Sequence, residues 1–196
     1  MMAIYGRRII SNIRRPDPAW LESLRVFATP DICDACQTYD CMDPEIKPWV
    51  TAKKLIGPAV TVKVPVGEGD IVVKAIDLAE KGDILVIAGH GNMKSSYWGD
   101  KRSARAKARG IAGVIIDGAF RDVDDCEAVG LPVYAKGLTA GTALKTGRGE
   151  INVPVSCGGT VVNPGDIIVA DRNGVCVVPL DFAEEIIKRL EAGAFQ

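Results

Sequence analysis

Between Pro58 and Ala135 the chain alternates strand-length apolar runs with helix-length segments. Val60, Val62, Val64 and Val66 alternate with Thr61 and Lys63, which predicts a strand with one buried face. Asp70 reads as the cap of a helix over 71–80, and Gly82 stops it. Residues 83–88 (DILVIA) and 111–116 are almost wholly apolar, the pattern of strands covered on both faces. Residues 97–109 read as a helix closed by Gly110, 122–129 as a short helix and 131–135 as a further strand. Consecutive strands joined by helical crossovers run parallel, so this β-α-β-α-β-α-β order makes the chain an α/β protein.

The flanks modify that frame. Asp17 can cap a helix with Pro18 at its first position, running to about residue 27. Thr29-Pro30-Asp31 repeats the signal for a second helix to about residue 38, and a loop holding Pro44 and Pro48 follows. After residue 150 come short strands at 153–156, 160–162, 166–170 and 175–178. Pro164-Gly165 and Asn173-Gly174 read as turns, the second a tight hairpin. Asp181-Phe182-Ala183-Glu184 reads as a capping box for a last helix to about residue 192. The expected architecture is a layered β/β/α domain with parallel βαβ units and C-terminal antiparallel ribbons, a single domain over 1–196 on which N-terminal helices within 1–50 pack.

With 196 residues, 47% hydrophobic and 25% charged, the chain is neither disordered nor collagen-like. The formal net charge of -1 gives no bulk attraction to nucleic acid or membrane, so neither is expected as a partner. Its apolar runs, such as 84–89, are far short of the ~20 residues of a membrane helix. The basic stretch 1–15 lacks the apolar segment of a secretory signal, and Asp17 and Pro18 argue against a transit peptide. Six cysteines in such a chain read as free thiols in a reducing cytoplasm. Cys33, Cys36 and Cys41 cluster, whereas Cys126, Cys157 and Cys176 are scattered. The Cys33-Asp34-Ala35-Cys36 pair could serve redox chemistry or half a zinc site. There is no second CxxC, and His90 has no ligand-like spacing to it, so the favoured reading is small buried side chains on a helix.

Two loops can carry chemistry, because open α/β sheets bind ligands beyond the carboxyl ends of parallel strands. One holds Gly89-His90-Gly91-Asn92 and then Trp98-Gly99-Asp100-Lys101-Arg102; the other holds Asp117 to Asp125, with Arg121 and Asp122. A helix starting near Gly99 directs free N–H groups and its dipole at an anion. Arg121 offers a planar fork for a carboxylate, and Asp100 and Asp122 offer hard oxygen ligands of the type Mg²⁺ takes. The bland alternatives are that Asp122 only caps its helix, Asp100 only charges a first turn and Arg121 only makes a surface ion pair. The basic run Lys101, Arg102, Arg105, Lys107, Arg109 reads as a solvated helix face, and His90 as a hydrogen-bonded loop residue. Neither GxGxxG nor GxxxxGK[ST] occurs, so nucleotide binding has no support.

At these loops the chain resembles the RraA-like family, and within it the 4-hydroxy-4-methyl-2-oxoglutarate (HMG/CHA) aldolases. The resemblance runs from about residue 30 to 190. It is carried by Gly57-Pro58-Ala59-Val60-Thr61-Val62, Gly82-Asp83-Ile84-Leu85-Val86, Trp98-Gly99-Asp100, the run from Ala108 to Asp122, and Pro164-Gly165-Asp166. The aldolase branch has an Asp-x20-Arg-Asp signature, met here by Asp100, Arg121 and Asp122. The resemblance implies a swivelling-type β/β/α fold, a ring-shaped homotrimer that sometimes stacks to a hexamer, and a site between subunits. It implies that Asp122 ligates Mg²⁺ or Mn²⁺ while Asp100 holds the metal's waters. Arg121 would hold the pyruvate oxygens, and N–H groups from Gly99 through Lys101 to Arg102 its carboxylate. The implied reaction is a class II retro-aldol cleavage of a 4-hydroxy-2-oxo diacid to pyruvate, with oxaloacetate decarboxylation at the same site. Some relatives add a carboxylate from a neighbouring subunit's C-terminal extension; Glu184, Glu185 and Glu191 are not matched to it. Two alternatives stay open: a non-catalytic regulator that binds a ribonuclease, and another lyase or hydrolase acting on a 2-oxo acid. A methyltransferase name also used in the family finds no glycine-rich adenosylmethionine loop here.

Overall fold

The computed structural model describes residues 5–51 and 54–193. Its centre is the parallel array that the alternation predicts. Strands β2 (Leu55–Lys63), β3 (Ile84–Ser96), β4 (Gly113–Phe120) and β5 (Val133–Leu138) lie side by side, β2–β3, β3–β4 and β4–β5 all parallel. Their crossovers are α3 (Ile71–Leu78), α4 (Asp100–Ala108) and α5 (Val123–Val129). At one edge β1 (Lys47–Val50) pairs antiparallel with β5. At the other, β9 (Ile167–Asp171) pairs antiparallel with β2 and with β10 (Gly174–Val178). A short β6 (Glu150–Ile151) pairs with the end of β2, and β7 (Val155–Cys157) with β8 (Thr160–Val162) forms a separate hairpin.

Period-two alternation divides the interior into layers. Val60, Val62, Leu85, Ile87, Val114 and Ile116 face α3 to α5, where they meet Val72, Ile76, Ala106 and Cys126. Ala59, Ile84, Val86 and Ile115 face the other way, against Val155, Cys157 and Val162 of the hairpin. The result is helices, sheet and hairpin in sequence, the expected β/β/α layering. A third cluster holds α1 (Pro18–Arg25), α2 (Thr29–Ala35) and α6 (Ala183–Glu191) on β9 and β10, through Leu24, Ile32, Val169, Val178 and Ile187. Asp17 caps α1 as predicted, its carboxylate accepting from the Ala19 N–H at 2.8 Å.

Several expectations are corrected. The strand placed at Val60–Val66 with one buried face is β2, which begins at Leu55 and is buried on both faces, because the β7–β8 side covers its second face. Leu55–Pro58 pairs with β9 and Ala59–Lys63 with β3, so one strand serves two neighbours in succession. The predicted loop at Gly89–Asn92 is the irregular part of β3, with register shifts between Ile87 and Ser96 and with His90 and Gly91 at positive φ. The helix predicted from Tyr97 begins at Asp100, since the Tyr97 and Trp98 rings are buried between β3 and α4 and lie outside the helix. The Asp181 capping box does not form: Phe182 is the N-cap of α6, and Asp181 pairs with Arg14 at 2.5 Å. The β9–β10 hairpin turns at Arg172-Asn173, with Gly174 already in the ladder. Cys33 and Cys41 are joined as a disulfide, not held as free thiols; Cys36, Cys126, Cys157 and Cys176 are free and buried. No helix among the described residues is long and apolar enough to cross a membrane.

Candidate active site

β3 and β4 deliver their carboxyl ends to α4 and α5, and between these helix starts lies a cleft of about 250 Å³. Gly99, Asp100, Lys101, Arg102, Arg121 and Asp122 all line it. Residues twenty places apart in the chain meet because β3 and β4 are adjacent and parallel. The two loops are then joined through the backbone. The Arg121 N–H donates to the Trp98 carbonyl at 3.1 Å, and the Tyr97 N–H to that of Ala119 at 3.0 Å.

Asp122 departs from the geometry of a plain helix cap. It stands at the N-cap of α5, yet its carboxylate makes no capping hydrogen bond. Its backbone is left-handed, φ 58° and ψ 46°. That conformation costs a non-glycine residue about 1–2 kcal/mol, and Asp tolerates it better than most. The conformation turns the carboxylate away from the helix and toward Gly99. A Cβ at residue 99 would stand 2.8 Å from Asp122 Oδ2, so glycine is what lets the carboxylate lie there. Gly99 itself is extended, at φ -175°, so its requirement is space and not backbone freedom. The one ion pair of Asp122 among the described residues is with Arg121, Nε to Oδ2 at 3.3 Å. Asp100, in the first turn of α4, takes no hydrogen bond or ion pair within the described residues.

The walls are rigid. Tyr97 donates from its hydroxyl to the Gly89 carbonyl at 3.1 Å and accepts from the Gly67 N–H and Asn92 Nδ2, each at 3.0 Å. Trp98 Nε1 donates to Ser103 Oγ at 2.7 Å, and the Cys126 thiol, raised above its ordinary pKa by burial, continues this chain toward the Arg121 carbonyl. The Arg102 side chain is not free for a ligand: its guanidinium donates to the carbonyls of Tyr97 and, at 2.7 Å, Gly69. Burial holds it below the usual arginine range, Asp70 opposing and Arg121 adding to the effect. What Arg102 offers the cleft is its backbone N–H, which with those of Asp100 and Lys101 has no intrahelical partner in the first turn of α4.

A positioning residue escaped the sequence reading. Glu68 is buried and accepts from the N–H groups of Gly69 and Asp70 at 3.0 Å, from the Thr146 N–H at 2.9 Å, and from the Thr146 hydroxyl. Burial pushes its carboxyl upward, but these donors outweigh it and hold the pKa below the ordinary value. Glu68 thereby ties the Gly67–Asp70 turn to the segment carrying Thr142, Ala143 and Lys145, all of which line the cleft. No motif marks it; its partner Thr146 is distant in sequence.

The other candidates take the bland readings. His90 Nε2 is 3.0 Å from the Val64 carbonyl, in a separate hollow with Lys63 and Glu150. Three further residues of the basic run along α4 are engaged within the chain. Arg105 forks onto Asp77, Lys107 donates to the Val129 carbonyl, and Arg109 donates to the Asp77 carbonyl. Glu184 and Glu185 pair along α6 with Lys188 and Arg189.

Fold and site together define a class: an α/β subunit with a small cleft, bearing two carboxylates and a guanidinium, at the carboxyl ends of its parallel strands. The family model for RraA-like proteins, described as Aldolase/RraA, matches residues 29–177, and the chain belongs to this family. A relative from Halalkalibacterium halodurans named "Putative 4-hydroxy-4-methyl-2-oxoglutarate aldolase" is 38% identical over 170 residues, covering 87% of this chain and 81% of that one. One of the same name from Ectopseudomonas mendocina is 32% identical over 154 residues, covering 78% and 94%. Among solved structures, the RNA-processing inhibitor RraA from Thermus thermophilis superposes with a TM-score of 0.72 at 27% identity, covering 78% of this chain and 93% of that one.

Proposed function

We propose that the chain is a divalent-metal-dependent carbon–carbon lyase that cleaves 4-hydroxy-4-methyl-2-oxoglutarate, or a related 4-hydroxy-2-oxo diacid, to pyruvate, and decarboxylates oxaloacetate in the same cleft. The observation that carries the reading is the Asp122 carboxylate, excused from capping and set against Gly99 beside Arg121. The names of the aldolase relatives support it.

The residues fit a hard divalent ion. Asp122 and Asp100 are oxygen donors without internal hydrogen-bond duties, and the space beside Gly99 is kept open by the missing Cβ. Asp122 would hold Mg²⁺ or Mn²⁺ and Asp100 its waters; such an ion supplies Lewis-acid stabilisation of the negative charge that develops on the oxo oxygen. The first-turn N–H groups of Asp100, Lys101 and Arg102 receive the substrate carboxylate, with the dipole of α4 behind them. Arg121 grips the adjacent oxo and carboxylate oxygens with two parallel N–H groups, a contact that strengthens as charge accumulates there. In the cleavage the C3–C4 bond breaks, its electron pair moves toward the oxo group, the C4 hydroxyl passes its proton to water as a carbonyl forms, and C3 takes a proton back from water to give pyruvate. No Schiff-base lysine is needed, and Lys101 contributes charge at the cleft mouth. Residues 1–196 act as one domain, assembled as a homotrimer that can stack to a hexamer, with cytoplasmic action on a small 2-oxo acid.

The test is pyruvate release from oxaloacetate and from 4-hydroxy-4-methyl-2-oxoglutarate with Mg²⁺ titrated, measured above the metal-only background, for wild type and Asp122→Asn. Asparagine tolerates the left-handed backbone, so the variant should fold and lose turnover. Folded wild type releasing no pyruvate from either substrate overturns the reading, and a panel of other 2-oxo acids then distinguishes a different lyase. The ribonuclease-regulator alternative predicts a stoichiometric ribonuclease complex that forms as well with Asp122→Asn as with wild type. Light scattering of the purified chain tests the trimer.

A further inference from the structure

On the side of the molecule where α1, α2 and α6 cover β9 and β10, cysteines from separate parts of the chain converge. Cys33 lies on α2, and Cys36 is the C-cap of that helix. The chain then reverses. Gln37 and Thr38 take φ values of 55° and 62°, and the Thr38 N–H returns to the Cys33 carbonyl at 2.9 Å. The reversal lays Cys41 antiparallel against Cys176 of β10, with flanking bonds from Met42 to Val175 and from Val177 to Asp40, each at 2.9 Å. The Sγ atoms of Cys33, Cys41 and Cys176 all lie within 4.8 Å of one another. The Cys36 thiol lies beside Cys176, outside that three-sulfur group. Cys36 is 7% exposed and Cys176 fully buried.

We propose that, when Cys33 and Cys41 are thiols, Cys33, Cys36, Cys41 and Cys176 form a structural tetrathiolate site for one soft divalent ion of the zinc class. Tetrahedral thiolate coordination at ~2.3 Å places ligand sulfurs about 3.8 Å apart, so the bonded sulfurs of Cys33 and Cys41 must separate on reduction and the Cys36 sulfur must turn in to complete the set. The Cys33–Cys36 interval is the CxxC spacing that such sites use, and the other two ligands come from a loop and a strand held in register by backbone bonds. The disulfide alone accounts for two of these sulfurs and leaves two buried thiols against each other with no task. The consecutive left-handed residues after Cys36 are sparsely populated conformations that persist where the surroundings over-determine them. Here they are what bends Cys41 back over Cys33. The donor set is all sulfur, so it selects against Mg²⁺ and against the oxygen ligands of the cleft. Four thiolates on a dication leave the site at charge -2, and no open ligand position remains, which is the form of a structural and not a catalytic centre. Its role would be to pin residues 36–42 and α2 onto β10.

The disulfide is the metal-free alternative to this centre. A phosphine reductant converts it: phosphine, disulfide and water give phosphine oxide and two thiols. Binding of the dication by four thiols then releases four protons. Because thiols must lose their protons to bind the dication, metal uptake and proton release are coupled.

The full chain, purified in phosphine without chelator, should carry about one zinc per chain by elemental mass spectrometry. Replacement by Co²⁺ should give intense near-ultraviolet sulfur-to-cobalt charge-transfer bands and strong visible bands of a tetrahedral centre. These bands should be unchanged in Asp122→Asn, which separates this site from the cleft. Zinc affinity, by competition with a chromophoric chelator, should fall about 100-fold or more in Cys36→Ser and in Cys176→Ala. The wild-type cobalt spectrum needs no variant, so a misfolded variant does not blunt the test. Reduced wild type that shows only weak octahedral cobalt bands, or whose four cysteines are alkylated equally fast with and without zinc, overturns the proposal.

Discussion

Asp122 Oδ2 occupies the space that a side chain on Gly99 would need, 2.8 Å from where the Cβ would be. The clashing atom is the far end of a side chain, so Gly99→Ala can be accommodated by rotation of the carboxylate. The extended φ of Gly99 suits alanine as well as glycine. The fold should therefore survive, with a melting temperature within a few degrees of wild type. Mg²⁺-dependent pyruvate release should fall by about 10-fold or more, because the displaced carboxylate no longer faces the ion. Parallel melting and turnover measurements check this; equal turnover would remove Asp122 from the metal site.

Arg121→Lys keeps the charge and removes the fork. Lysine cannot offer two parallel N–H groups to adjacent oxygens, so the loss should be close to that of Arg121→Ala, about 10²-fold in kcat/KM. Mg²⁺ affinity should change little in either variant, since the ligands proposed for the ion are carboxylates. Steady-state kinetics with Mg²⁺ titration separates the two quantities. A lysine variant near wild type would mean that Arg121 acts only as a positive charge.

The parallel half of this fold was legible because its signal is local: apolar runs of strand length, each followed by a helix-length segment, with period-two alternation supplying both faces. The cleft was legible for the same reason, since adjacent parallel strands put their following loops together. Other features depend on partners that the local pattern cannot name. β1 reads as a loop because of Pro48, but it is an edge strand, where proline is tolerated, and Trp49 Nε1 anchors it to the Ala135 carbonyl at 3.0 Å. Tyr97 and Trp98 read as the start of a helix, yet buried hydrogen bonds to the Gly89 carbonyl and Ser103 hold their side chains outside it. The convergence of Cys176 with Cys33 and Cys41 follows from the placing of β10 beside α2, which no spacing in the sequence encodes.

Arg102 is expected to act through the walls of the cleft. Its guanidinium joins the Tyr97 and Gly69 carbonyls, which belong to different loops. Arg102→Ala leaves both acceptors without this donor and should cost about 2–3 kcal/mol, or roughly 6 °C in melting temperature for a chain of this size. KM for the 2-oxo acid should rise more than kcat falls, because the N–H groups of the α4 first turn lose their fixed approach. Thermal denaturation and steady-state kinetics test the two parts, and a variant with a wild-type melting temperature would show that the two loops are held by other contacts.

Glu68 gives the fold a pH dependence of definite sign. Its folded-state pKa lies below the ordinary glutamate value of 4.5 because the Thr146 hydroxyl and the N–H groups of Asp70, Thr146 and Gly69 overcome the effect of burial. Within that window the unfolded chain binds more protons than the folded one, so stability rises with pH. The contribution is complete above the unfolded value and disappears as pH falls through the lower, folded one. Glu68→Gln removes the titration and turns an amide toward donors that need an acceptor, so it should destabilise the protein at neutral pH by about 2–3 kcal/mol. The penalty should shrink on acidification, where wild type loses the same carboxylate. Urea midpoints measured from about pH 3 to 7 for both proteins should converge at the acid end. Curves that stay parallel would show that Glu68 is not the group that loosens this wall of the cleft in acid.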